Sequence, residues 1–107
     1  MIDHESLLGE INVLLATTPR DRERMERTLT DGYAHALSLE AERTRFEKQL
    51  RTLAETIDRG DVAEKTREMS ELARMIDHQD LELSELRALL AKLRLQYSGA
   101  AARERRR

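Results

Sequence analysis

The chain of 107 residues has no cysteine and no tryptophan, a single proline, four glycines and three aromatic residues, Tyr33, Phe46 and Tyr97. Without cysteine there are no disulfides and no thiol chemistry, which fits a reducing compartment and sets the expectation of a cytoplasmic protein. Three aromatics cannot fill a wide core, so the apolar surface has to be buried as a narrow stripe. Beyond Pro19 no proline interrupts the chain, and long helices are permitted. No run approaches the roughly 18 uninterrupted apolar residues of a membrane span. The N-terminal Met1-Ile2-Asp3-His4-Glu5 is acidic where a signal peptide would be basic, so neither a membrane partner nor a signal peptide is expected. One-signed charge is missing too. Nineteen basic and twenty-one acidic residues leave a net charge of −2, so no global field drives the chain onto nucleic acid or an anionic membrane.

What the chain does have is periodicity. From the turn Asp58-Arg59-Gly60-Asp61, walking back, Ile57, Leu53, Leu50, Phe46, Arg43, Leu39, Ala36, Gly32, Leu29 and Met25 recur at spacings of four and three. Walking forward, Val62, Lys65, Met69, Leu72, Ile76, Gln79, Leu83, Leu86, Leu90, Leu93 and Tyr97 do the same. Two heptad seams joined by a short turn predict an all-α fold, a long antiparallel coiled-coil helical hairpin. Upstream, Asp3 can cap a short helix whose Leu7, Leu8, Ile11, Leu14 and Leu15 share one face, folded against the open end of the hairpin.

The expected organisation is a short N-terminal helix in 1–17, the hairpin in 18–97 with its turn at 58–61, and a disordered basic tail in 98–107. Thr18 is the expected cap of the second helix, with Pro19 at its first position and Asp21 at its third. Gly60 suits the left-handed position that ends this helix. Asp61 and Glu64 form the Asp-x-x-Glu pattern that starts the third, which is expected to end at Ser98-Gly99.

The turn also sets a register. It pairs Leu50 with Met69, Phe46 with Leu72, Arg43 with Ile76, Leu39 with Gln79 and Leu29 with Leu90. One layer is polar. Glu40 faces Asp80 beside Arg43 and Gln79, and the arginine can fork between the two carboxylates while the glutamine hydrogen-bonds in the same layer.

Little of this suggests chemistry. Ser, Thr and His are scattered over helix surfaces, with no arrangement of nucleophile and base, and no catalytic or cofactor-binding residue is expected. His78 and Glu82 have i,i+4 spacing with Asp77 and Asp80 nearby, but Glu-x-x-His motifs on two helices are absent, and no metal is expected. Arg59-Gly60-Asp61 spells an adhesion tripeptide and reads as turn chemistry.

Gly60-Asp61-Val62-Ala63-Glu64 at the tip resembles the Gly-Asp-Leu-x-Glu tip of the Gre-type transcript cleavage factors. That resemblance implies a coiled coil entering the secondary channel of RNA polymerase, with Asp61 and Glu64 helping to hold a catalytic magnesium ion. It covers five residues. The chain continues with Lys65-Thr66-Arg67-Glu68 where the family has Asn-Ala-Glu-Tyr, and the family's C-terminal globular domain is not expected.

Outside the seams, Leu81, Ala88 and Leu95 repeat every seven residues, with Leu89 beside them, and Tyr33 and Leu37 are surplus on the second helix. The apolar run of the first helix spans about 12 Å, while Leu81 to Leu95 spans about 21 Å. Part of this surface is left for another chain. The sequence therefore predicts a non-enzymatic coiled-coil adaptor or assembly protein that binds a protein partner or itself, as a homodimer. The alternatives are a small helical module like an export chaperone and a polymerase-channel regulator with an acidic tip. Nucleic acid is expected only as weak contacts through Arg103, Arg105, Arg106 and Arg107.

Overall fold

A computed structural model describes residues 3–17 and 20–106. The fold is all-α, with three helices, α1 (His4–Ala16), α2 (Arg22–Glu55) and α3 (Val62–Arg105), and no strand among the described residues. No helix is long and apolar enough to cross a membrane among them.

Each helix end has an identifiable cause. The Asp3 carboxylate accepts the Ser6 N–H at 3.2 Å and caps α1 as its position implies. At the other end Thr17 is extended. There the Arg20 guanidinium donates to the carbonyls of Leu14, Leu15 and Thr17 at 3.2, 3.0 and 2.6 Å. These are carbonyls that a helix leaves without internal partners.

The capping roles expected of Thr18 and Pro19 lie outside the described residues. Asp21 corrects its own expected role. It stands at the N-cap, not inside the helix, accepting the Arg24 N–H on its carboxylate and the Met25 N–H on its carbonyl. α2 ends at Glu55, three residues before Asp58, and residues 56–60 form the turn. Gly60 has φ +79°, the left-handed conformation expected there. The Lys65 amine donates to the Thr56 carbonyl, closing this end of α2. α3 continues through Ser98-Gly99 to Arg105, so the tail expected to be disordered is largely helical. Ala100, Ala101 and Ala102 are strong helix formers, Ala100 is buried, and Arg22 pairs with Glu104.

The chain divides into two compact units. The first joins residues 1–37 to 84–107. In it α1 buries Leu7, Leu8, Ile11 and Leu14, and the neighbouring helices bury Met25, Thr28, Leu29, Ala36, Leu86, Leu90 and Leu93. Arg24 grips Glu10 with two hydrogen bonds of 2.6 and 3.0 Å. His4 Nδ1 lies 3.1 Å from His35 Nε2. Gly32 allows a close approach, since a Cβ at that position would lie 2.4 Å from Leu90 Cδ2.

The second unit, residues 38–83, contains only the turn-side parts of α2 and α3. Leu39, Leu72, Gln79 and Leu83 are buried, while Phe46, Leu50, Leu53, Met69 and Ile76 are only half-buried. As seam residues near the turn Leu50 and Leu72 are both expected to be buried, and only Leu72 is. Two helices without a third bury some seam residues and leave these five partly open.

Two glycines of α1 and α2 respond oppositely to alanine. Gly32→Ala gains up to about 1 kcal/mol of helix propensity but overpacks Leu90 at a cost of about 1–3 kcal/mol, so a net loss near 1 kcal/mol is expected. Gly9 has nothing within 4 Å of its Cβ position, and Gly9→Ala should stabilise by roughly 0.5–1 kcal/mol. Urea melts of the two variants check the opposite signs.

Candidate functional site

The polar layer lies within the second unit. Arg43 Nε donates to Asp80 at 2.5 Å and Nη2 to the other oxygen at 3.4 Å, while Nη1 engages Glu47 one turn along. The hydrogen bond to Asp80 raises the guanidinium above its ordinary pKa. Gln79, 8% exposed, donates its amide N–H to Glu42 at 2.6 Å. Glu42 accepts only, which fixes the amide orientation and leaves Gln79 Oε1 buried without a partner. Glu40 is half-buried, and its carbonyl accepts the Thr44 hydroxyl.

The partners differ by one helical turn from the register. Arg43 is set against Ile76 and bonds Asp80; Gln79 is set against Leu39 and bonds Glu42. Side chains tilt toward the N-terminus of their own helix. For α2 that direction leads away from the turn, and for α3 toward it, which produces both displacements. Within the first unit Leu90 follows the same tilt, lying against Gly32 one seam step from Leu29.

At the tip, the Asp61 carboxylate accepts the Glu64 N–H at 3.2 Å and the Asp61 carbonyl accepts the Lys65 N–H at 3.1 Å. Arg59, Gly60, Asp61 and Glu64 are all exposed. The geometry is that of an N-cap. His78 Nε2 meets Glu82 at 2.8 Å, and among the described residues no group of three His, Cys, Asp or Glu side chains could hold a metal ion.

The surplus apolar residues divide unevenly. Leu81 is 70% exposed in the second unit; in the first, Leu95 is 75% exposed and Leu37 67%. Tyr33 and Ala88 are exposed and Leu89 half-buried. Sequence periodicity missed a further feature. The second unit carries two adjoining depressions, of about 510 and about 600 Å³, that share Glu71 and Met75 in their walls. Phe46, Leu53, Leu72 and Met75 supply their apolar lining. Apart from Met75 these are seam residues, and the pattern counted them as covered.

Capping by Asp61 makes a graded prediction. Asp61→Ala should cost about 1 kcal/mol and Asp61→Asn only a few tenths, measured by thermal melting. The chain matches no protein-family profile, no curated protein and no solved structure.

Proposed function

We propose that this chain is a non-enzymatic adaptor of the cytoplasm, an antiparallel coiled-coil hairpin that binds a protein partner or itself through apolar side chains its own helices leave uncovered. One observation carries the reading: Leu37, Leu81 and Leu95 stand at least two-thirds exposed in a chain that buries its other leucines wholly or in part. Isolated exposed leucines are ordinary on a protein surface. Leu81 and Leu95 also share one heptad position, two heptads apart, and a repeated apolar position is how a helix presents itself to a partner helix. A helix-in-groove contact needs no cleft and no titrating residue, and the dispersed Ser, Thr and His side chains suit it.

A photo-reactive residue placed in vivo at Leu81 or Leu95 should form an adduct with one defined polypeptide, another copy of the chain included. The same residue placed at exposed Asn12, on α1 and away from this stripe, should not. Absence of any adduct from both leucine positions would contradict the reading.

A further inference from the structure

We propose that the open trough of the second unit is covered by a second copy of this chain, packed antiparallel about a two-fold axis. The proposal rests on the reading of the chain as an interaction protein and names the occupant of one of its surfaces. The trough has an apolar floor and charged walls. Phe46, Leu53, Leu72 and Met75 line it, and Met75 is 46% exposed. Apolar lining of this kind supplies the drive to association.

The charges decide which occupant fits. Along the α3 wall, Glu68 and Glu71 lie toward the turn, and Arg74 and His78 lie away from it. A helix side acidic in one half and basic in the other complements its own copy run in the opposite direction. Antiparallel contact centred near Ala73 sets Glu71 of each copy beside Arg74 of the other and Glu68 opposite His78. A parallel arrangement would set like charges together.

Three of these four side chains are also available, while His78 meets Glu82 of its own helix. Among the described residues, none of Glu68, Glu71 and Arg74 has an ion-pair partner within the chain. Glu71 and Arg74 stay apart although they are three residues apart on one helix, a spacing that permits pairing. An isologous contact uses one patch twice, so every favourable pair formed about the axis is formed twice. Exposed ion pairs add little affinity. Their role here is to fix orientation, while the apolar lining holds the copies together.

Sedimentation equilibrium of the full chain, from low micromolar to several hundred micromolar, tests this. The parent should be a monomer–dimer equilibrium. Met75→Glu and Arg74→Glu should each weaken dimerisation by about tenfold or more, with helicity unchanged because both side chains are exposed. The swap Glu71→Arg/Arg74→Glu keeps the complementarity and should restore the dimer. A parent that is monomeric throughout the range overturns the proposal. So does a dimer that ignores Met75→Glu and Arg74→Glu but is lost in Leu81→Glu/Leu95→Glu. A monomeric parent whose Leu81 position still forms an adduct with a different polypeptide would sink the second-copy proposal and leave the adaptor reading standing.

Discussion

The number of helices available to cover each apolar side chain governs this structure. Two helices bury some seam residues and leave others partly open, and a third closes these. In the first unit α1 supplies that third helix, and Ile11, Met25, Leu86, Leu90 and Leu93 are all but removed from solvent. The second unit contains no third helix among the described residues, and Phe46, Leu50, Leu53, Met69 and Ile76 stay half-exposed. At about 25 cal/mol per Å² of apolar surface, this difference in coverage outweighs individual surface ion pairs, each worth about 0–1 kcal/mol. Stability should concentrate where the third helix packs, and binding capacity where it is missing.

The polar residues follow from the same constraint. Arg43 is tolerated at a seam position because its guanidinium leaves the seam for Asp80 and Glu47 at the surface. Gln79 is more deeply placed, and the carboxylate of Glu42 satisfies its amide N–H. A polar layer of this kind contributes more to register than to stability. The first unit treats its seam differently. Gly32 has no side chain at all, and Leu90 fills the space.

Much of the fold was legible in the sequence because heptad spacing, Gly60 and the capping aspartates are local signals. Asp3, Asp61 and the left-handed Gly60 need only their neighbours in the chain. The ends of α2 and α3 were less legible. Arg20 reaches back to three carbonyls of α1 and Arg22 meets Glu104 across 82 positions, contacts that no local pattern encodes. The turn of side chains toward their helix N-terminus displaced Arg43 and Gln79 from the simple register. The trough was illegible for a different reason. Spacing marks a residue as part of a seam and cannot say how many helices will cover it, so half-buried Leu50 of the second unit and fully buried Leu90 of the first read alike in sequence.

The scaffold and the proposed contact surface lie on the same two helices. The charged tip, Asp61 and Glu64, serves the start of α3, and Lys65 closes the end of α2. Amide hydrogen exchange under native conditions, read residue by residue, tests most directly whether the third helix sets where the chain is stable. Amides of 28–36 and 86–93 should exchange at least about tenfold more slowly than those of 46–53 and 65–76, because fewer buried apolar contacts hold the latter closed. Equal protection in the two sets, or slower exchange near the turn, would contradict the account.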